Sequence, residues 1–145
     1  MNFSKPLIIK RNSGKRRENV FTCNSDLEIK NALETIFNEN SRKYDNIALA
    51  QELIDIKQEY RVLFAFGEIH LIYKKWTFEK LADVELKAKM QTFLINILNN
   101  LPVKYAGFDI ALNKNNEIVL IEINSAPRLD IYINKNNAEE EIISI

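Results

Sequence analysis

Two carboxylates and a carboxamide near the C-terminal end of the chain have the spacing of a metal site on a β-hairpin. Asp109 lies on one predicted strand, and Glu122 and Asn124 lie on the next, beyond a polar turn at 113–116. With a two- or four-residue turn the three side chains share one face, roughly 7–8 Å apart at the backbone. These oxygen ligands suit Mg²⁺ or Mn²⁺ rather than zinc. A three-residue turn would flip Glu122 to the other face, and the simpler alternative is that the carboxylates only face water.

A second feature that points to chemistry is a basic loop near the start of the chain. Lys10 ends the apolar run that begins at Pro6, and the loop behind it contains Ser13, Gly14 and further basic residues. Backbone N–H groups in such a loop, together with lysine as a point charge, suit the binding of phosphates. The alternative for this segment is an ordinary basic turn in solvent.

Hydrophobic periodicity predicts the strands and helices that position these residues. The predicted elements are strands over 6–10 and 47–54, helices near 26–39 and 84–100, and hairpins over 61–75 and 105–124. In the first hairpin, a turn at Gly67 and Glu68 places Leu71 and Tyr73 on the same apolar face as Val62. Because the order is not a strict alternation of strand and helix, it predicts an α+β fold with antiparallel sheets.

Composition limits the classes of function. The chain has 145 residues with 20 basic and 20 acidic side chains, so it lacks the strong positive charge typical of nucleic-acid-binding domains. No apolar run reaches the ~18–20 residues of a membrane span, and the first residues lack the pattern of a secretory signal. The single cysteine, Cys23, excludes an intramolecular disulfide framework and a cysteine-based zinc site. We therefore expect a cytoplasmic protein with no nucleic-acid or membrane partner.

The candidate residues, taken in order along the chain, resemble the ATP-grasp superfamily. The matching segments are 6–10, 51–54, 59–61, 74–75, 107–109 and 121–127. The most specific part is the closing pattern Gly-x-Asp…Glu-x-Asn-x-x-Pro, which runs from Gly107 to Pro127. The most similar members are carboxylate–amine ligases of the ribosomal-protein glutamate ligase and glutathione synthetase type. The resemblance implies antiparallel sheets with packed helices that hold a nucleotide between them.

The resemblance also implies which residues contact ATP. Lys10 would contact the α- and β-phosphates, the segment 51–54 would read the adenine edge, and Glu59 would hold the ribose. Leu120, on the predicted face of Asp109, would lie under the adenine ring. The implied ATP contacts are Lys10, Ser13, Gly14, Gln51, Glu52, Leu53, Ile54, Glu59 and Leu120.

The remaining implied roles concern the metal and the reacting groups. Asp109, Glu122 and Asn124 would bind Mg²⁺, or Mn²⁺, on the β- and γ-phosphates. Arg61 and one of the two lysines Lys74 and Lys75 would face the transferred phosphoryl group. For Arg128, the choice lies between binding a substrate carboxylate and contributing only surface charge.

The function implied by the resemblance is an ATP- and Mg-dependent carboxylate–amine or carboxylate–thiol ligase. An unidentified carboxylate would attack the γ-phosphate, and a nucleophile would capture the resulting acylphosphate, so ADP and phosphate would be released. One alternative is a non-catalytic or partner-dependent ATP-binding module on the same scaffold. Another is nucleotidyl transfer to Lys10, which would release pyrophosphate.

The expected organisation is a single, truncated ATP-grasp-like domain over 1–145. Residues 1–54 would supply the phosphate-loop strand, a helix and the hinge strand, residues 55–130 the metal- and nucleotide-binding sheet with a helix, and residues 131–145 a polar, acidic tail. Related ligases carry an upstream domain for which this sequence has no counterpart. A second copy or a separate subunit would supply that part; otherwise the chain is a piece of a longer protein or a copy without turnover.

Overall fold

The computed structural model describes residues 6–11, 19–38 and 47–143. The chain divides into two compact units, Met1–Ile54 and Asp55–Ile145. The predicted phosphate-loop residues Ser13 and Gly14 lie outside the described residues.

In its described residues, the first unit contains a three-stranded antiparallel sheet and one helix. The strands are β1 (Leu7–Arg11), β2 (Val20–Cys23) and β3 (Ala48–Glu52), in the order β2-β1-β3. Helix α1 (Asp26–Asn38) begins after Ser25, whose Oγ accepts a hydrogen bond from the N–H of Glu28 at 3.2 Å. The side chain of Glu28 in turn accepts from the N–H of Asn24 at 2.6 Å, so the two side chains bond reciprocally to backbone N–H groups at the start of the helix.

The core of the first unit joins the helix to the sheet. It consists of the buried residues Leu7, Ile9, Cys23, Ala32 and Ile36. Strand β2, which the hydrophobic pattern does not predict, completes the sheet on the far side of β1 from β3. The cysteine is part of this apolar core, and burial raises the pKa of its thiol.

The second unit contains a four-stranded antiparallel sheet and three helices. The strands are β4 (Ile56–Ala65), β5 (Glu68–Lys74), β6 (Tyr105–Asn113) and β7 (Ile118–Asn124), in the order β5-β4-β6-β7. The helices are α2 (Val84–Leu98), α3 (Asp130–Asn136) and α4 (Glu139–Ile143). The short helices α3 and α4 occupy most of the segment expected to be a polar tail. Together with the first unit, this architecture confirms the predicted α+β fold with antiparallel sheets.

Each face of the second sheet is covered by different elements. Met90 and Leu94 of α2 pack on one face, against strand residues that include Val62 and Phe108. On the other face, Tyr132 of α3 packs against residues of β4 and β5. Because strand residues alternate between faces, Arg61 and Asp109 lie on the face that α3 covers.

The hairpin of β4 and β5 corrects one prediction. The turn consists of Phe66 and Gly67, both at positive φ (50° and 94°), rather than Gly67 and Glu68. The pairing also shifts beyond Leu63. The displaced turn alone would leave the faces unchanged, but this shift adds one residue to β5 and places Leu71 and Tyr73 on the same face as Arg61. The prediction that they share a face with Val62 is therefore wrong.

None of the helices in the described part of the chain is long and apolar enough to cross a lipid bilayer.

Candidate functional site

The hairpin that carries the predicted metal ligands closes with a turn of three residues. The segment 114–116 connects Asn113 to Glu117, and the N–H of Asn113 donates to the carbonyl of Glu117 at 3.0 Å. Asn116 adopts the left-handed conformation (φ 62°) that ends such turns. The side-chain oxygen of Asn113 accepts from the N–H groups of Asn115 and Glu117, both at 2.9 Å. The prediction of a two- or four-residue turn is therefore wrong.

A β-bulge nevertheless keeps Glu122 on the predicted face. Ile110 pairs with Leu120, whereas the preceding residue of β6, Asp109, pairs with Glu122, so Ile121 is an extra residue in β7. The extra residue reverses the alternation of faces along β7. Asp109 and Glu122 consequently stand directly opposite each other on neighbouring strands.

The same bulge moves Leu120 away from the predicted position. Leu120 packs against the core cluster that contains Phe108, on the α2 side of the sheet. The prediction that Leu120 shares a face with Asp109 is wrong, because the alternation expected of a regular strand is interrupted at Ile121.

Asp109 is the centre of a compact cluster of charged side chains. Arg61 binds it in a bidentate manner, with Nε 2.7 Å from Oδ1 and Nη2 2.9 Å from Oδ2. Lys75 Nζ lies 2.6 Å from the same Oδ2 and 3.2 Å from Oε2 of Glu59. Asp109 is only 2% exposed and is the one charged residue that is buried in the described part of the chain. The sheet geometry brings these groups together, since Arg61 pairs with Asp109 and the N–H of Lys75 donates to the carbonyl of Glu59.

These contacts decide the ionisation of the buried carboxyl. Burial by itself raises the pKa of Asp109, but hydrogen bonds and charges from Arg61 and Lys75 outweigh it and hold that pKa below its usual value. Burial also opposes the charge of Arg61, yet Asp109 keeps the pKa of this guanidinium above its usual value. Asp109 and Arg61 are therefore both ionised at neutral pH.

The oxygen donors of the cluster fit the chemistry of a hard divalent cation. An ionised carboxylate offers about four acceptor positions, of which Arg61 and Lys75 use three on Asp109. Glu122 is exposed, and its charge helps to raise the pKa of Arg61. Within the described residues, the side chains of Glu122 and Asn124 make no hydrogen bond or close ion pair. No set of three His, Cys, Asp or Glu side chains in the described ranges is arranged to hold a metal. A magnesium site here would thus consist of two carboxylates with amide and water oxygens.

The structure separates the two candidate lysines. Lys74 pairs with Tyr60 in the sheet, on the α2 side, and its Nζ lies 2.7 Å from Oε2 of Glu79. Lys75 is the lysine that reaches Asp109. Of the two lysines, Lys75 is therefore the one that lies beside Asp109 and Arg61, and its role near the transferred phosphoryl group stays a prediction.

Arg128 lies on the surface of the second unit. Its side chain is 69% exposed, and its Nη2 lies 2.6 Å from Oδ2 of Asp130, two residues further along the chain. This local pair neutralises the guanidinium, and binding of a substrate carboxylate by Arg128 stays a prediction.

Two residues next to the cluster have functions that the sequence pattern does not reveal. Gly107 faces Pro127 so closely that a Cβ atom on Gly107 would lie 2.5 Å from the Cβ of the proline. Glycine is therefore the residue that fits at position 107, although the pattern alone shows only its spacing from Pro127. Tyr73 pairs with Arg61 and stacks on Tyr132 with ring centroids 4.7 Å apart. Because the sequence predicts the wrong register for β5, it does not indicate that Tyr73 lies next to Arg61.

The described candidate ATP contacts of the first unit lie on its sheet or directly after β3. Lys10 of β1 pairs with Val20 and Leu49 on the two neighbouring strands. The segment 51–54 runs from the end of β3, and the N–H of Leu53 donates to the carbonyl of Pro6 at 3.1 Å. The assignment of ATP contacts to Lys10, Gln51, Glu52, Leu53 and Ile54 stays a prediction.

Comparison with solved structures identifies the fold. The D-alanine-D-alanine ligase from Coxiella burnetii matches with a TM-score of 0.66 and 18% identity, covering 83% of this chain and 35% of that one. An L-amino acid ligase from Bacillus licheniformis matches at 0.67 and 17%, covering 94% and 37%. The biotin carboxylase domain dimer of Hydrogenobacter thermophilus 2-oxoglutarate carboxylase, in complex with MgADP, ADP and bicarbonate, matches at 0.66 and 13%, covering 88% and 32%.

The likeness lies in the structure rather than the sequence. No protein-family model and no curated protein matches the chain. The chain spans 32–37% of the length of these three solved structures. All three are ATP-grasp enzymes, and this chain is similar to them over at least 83% of its length. The chain therefore has the ATP-grasp fold.

Proposed function

We propose that this chain binds Mg-ATP and forms the nucleotide-binding core of an ATP-dependent ligase that joins a carboxylate to an amine or a thiol. The observation that carries the proposal is the placement of two opposed carboxylates, Asp109 and Glu122, beside the cations Arg61 and Lys75. This combination suits a triphosphate with its metal, because oxygen ligands and positive charges are both required.

In the second unit, the acidic and the basic side chains of the site have different proposed roles. Asp109, Glu122 and Asn124 would hold Mg²⁺, which when bound supplies neutralisation of phosphate charge. Arg61 and Lys75 would orient the γ-phosphoryl group and compensate the charge that spreads over its oxygens. The fixed Arg61–Asp109 pair keeps both groups in place before the nucleotide arrives, so little reorganisation is needed.

The proposed reaction has two steps. An oxygen of the substrate carboxylate attacks the γ-phosphorus and forms an acylphosphate, and the bond to the β-phosphate oxygen breaks to release ADP. An amine or thiol then attacks the acyl carbon, and phosphate leaves. The support for this chemistry is the named activity of solved structures with this fold, which include a D-alanine-D-alanine ligase and an L-amino acid ligase. We further propose that Lys10, Glu59 and the segment 51–54 contribute nucleotide contacts.

Titration calorimetry with ATP, with and without Mg²⁺, tests the binding step. Wild-type protein is expected to bind ATP more tightly when Mg²⁺ is present, and Glu122→Gln is expected to lose that dependence because a charged metal ligand is replaced by a neutral amide. Glu122 is exposed, so its substitution leaves the core intact. Glu68→Gln makes the same change at the far end of the sheet and is expected to behave as wild type.

The outcomes separate the two candidate functions. Release of ADP that depends on an added carboxylate and amine supports the ligase. Mg-dependent binding without ADP release supports a non-catalytic or partner-dependent ATP-binding module, which fits a chain that spans about a third of the ligase structures. Equal Mg-dependent binding by Glu122→Gln and wild type would contradict the proposed metal site.

A further inference from the structure

Asp109 interacts with two cations that are held in different ways. Arg61 is the cross-strand partner of Asp109 and binds both of its oxygens with a planar fork. Lys75 lies just beyond the end of β5 and makes a single contact with Asp109, from its Nζ to Oδ2 of the carboxylate. A lysine is a point charge on a flexible stem, whereas a bidentate arginine has one favoured geometry. Lys75 is thus the partner of Asp109 that can leave at low cost.

Two further groups lie beside Lys75. Oε2 of Glu59 is 3.2 Å from Nζ, and the ring centroid of Trp76 is 5.5 Å from Nζ. The side chains of Lys75 and Glu59 are 23% and 19% exposed, so their attraction is only partly screened by water. If Lys75 moves away from Asp109, Glu59 still compensates its charge.

We propose that Lys75 competes with a divalent cation for the carboxylate of Asp109, so that metal binding at this site requires Lys75 to move away. This inference deepens the proposed function, because it rests on the metal site assigned there. Without the metal, Lys75 keeps the buried carboxylate paired. Once released, Lys75 is available for the phosphates of the nucleotide, so one charge serves two states of the site.

The test measures Mg²⁺ binding without any nucleotide. Titration calorimetry compares wild type with Lys75→Met, a neutral side chain of similar length. The variant is expected to bind Mg²⁺ at least about tenfold more tightly, because a positive charge next to the ligand oxygen is removed. Lys75→Gln is a second neutral variant with the same expectation, and Lys75→Arg, which keeps the charge, is expected to bind as weakly as wild type.

A matched control and an independent readout accompany the titration. Lys74→Met removes the same charge one residue earlier, but Lys74 contacts Glu79 and not Asp109, so wild-type affinity is expected.

Trp76 is the single tryptophan of the chain. Its fluorescence is expected to change on Mg²⁺ addition in wild type and Lys74→Met as Lys75 moves, and to change much less in Lys75→Met.

Equal or weaker Mg²⁺ affinity in the folded neutral variants than in wild type would overturn the competition, as would the absence of Mg²⁺ binding in every variant. Tighter binding by Lys74→Met to the same degree would also overturn it, because the effect would then be one of general charge. Failure of the proposed nucleotide function has a different signature, namely no ATP binding with or without Mg²⁺. The metal comparison contains no nucleotide and is decided independently of that result.

Discussion

At the scale of single residues, Asp109 links the stability of the second unit to its proposed chemistry. The carboxylate is buried, and the three contacts from Arg61 and Lys75 compensate the loss of its hydration. Removing one partner of a buried ion pair leaves an uncompensated charge, which costs more than the pair itself contributes. We therefore expect a change at Asp109 to affect both folding and the proposed metal binding, and a change at Glu122 to affect the proposed metal binding alone.

Asp109 predicts a specific dependence of stability on pH. Its pKa is lower in the folded chain than in the unfolded chain, so its contribution is fully present above the unfolded value and is lost as the pH falls through the folded value. We expect Asp109→Asn to reduce the free energy of unfolding at pH 7 by about 3 kcal/mol. Urea denaturation of both proteins at a series of pH values below 7 measures the effect.

The informative quantity is the difference in free energy of unfolding between wild type and Asp109→Asn. It is expected to shrink as the pH falls below about 4, because the unfolded wild-type chain then takes up a proton at Asp109 whereas the folded chain does so only at a lower pH. A difference that stays constant from neutral to strongly acidic pH would contradict the assignment of this ionised pair.

Sequence reasoning found most chemical groups of the cluster but not their partners. Asp109, Glu122, Glu59 and Arg61 follow from residue types and from the motif. The choice between Lys74 and Lys75 depends on which side of β5 each occupies, and this depends on a shifted register that no residue type indicates. Ion pairs between strands far apart in the chain are likewise invisible until the strands are aligned.

At the scale of elements, the close approach of Gly107 and Pro127 joins β6 to the segment that follows β7. We expect Gly107→Ala to destabilise the chain by about 1–3 kcal/mol, because the new methyl group would overlap Pro127 and displace it. Thermal or urea unfolding measures this cost. Combining it with Pro127→Gly should recover part of the loss, since the Cβ atom that the new methyl group would overlap is then removed as well. If the two substitutions changed the free energy of unfolding additively, the result would contradict a direct contact between these residues.

The packing of α3 and α4 on the sheet depends on Tyr132. Its hydroxyl donates to Oε2 of Glu141 at 3.2 Å, and Glu141 also pairs with Lys80. Burial, followed by the negative charge of Glu141, raises the pKa of Tyr132 to about 12. Because the folded value exceeds the unfolded value near 10, this contribution to stability is present below pH 10 and is lost as the pH rises towards 12.

Tyr132→Phe tests this dependence. The variant is expected to lose about 1 kcal/mol at neutral pH with its hydrogen bond, and to show a shallower loss of stability than wild type between pH 10 and 12. Chemical denaturation followed by circular dichroism provides both values. Parallel alkaline slopes in the two proteins would show that another group is responsible.

The elements themselves were largely predictable, and their registers were not. The capping residues around Ser25 and the periodicity of 84–100 indicate α1 and α2 correctly, because both signals are local. The turns of the two hairpins and the bulges beyond them were missed, since they depend on how each strand packs against its neighbours. A shift of one residue is enough to exchange the two faces of a strand.

At the scale of the whole molecule, each compact unit has a hydrophobic core of its own. Clusters on both sides of the second sheet involve residues of 55–145 alone. We expect a fragment of residues 55–145 to fold by itself and to unfold cooperatively on heating. Circular dichroism and a melting curve test this, and a fragment that lacks a cooperative transition would contradict it.

The overall fold was predictable from the sequence because the ATP-grasp motif names residues on both units in order. The identities of the carboxylate substrate and the nucleophile were not predictable, since the motif concerns only ATP and its metal. Solved structures with this fold are about three times as long, and a single sequence of this length offers no pattern that distinguishes one carboxylate substrate from another. Substrate identity is therefore a question for assays with candidate carboxylates and nucleophiles.

The turn and the bulge of the β6–β7 hairpin have a consequence for insertions and deletions. Between Asp109 and Glu122 the hairpin contains three turn residues and one extra residue in β7 besides its cross-strand pairs. The number of these additional residues must stay even for the two carboxylates to face each other. Deleting one turn residue, or deleting Ile121, would turn Glu122 away from Asp109. Deleting one turn residue together with Ile121 would place Glu122 opposite Asp109 again. The site therefore tolerates changes in the length of this hairpin only in compensating pairs.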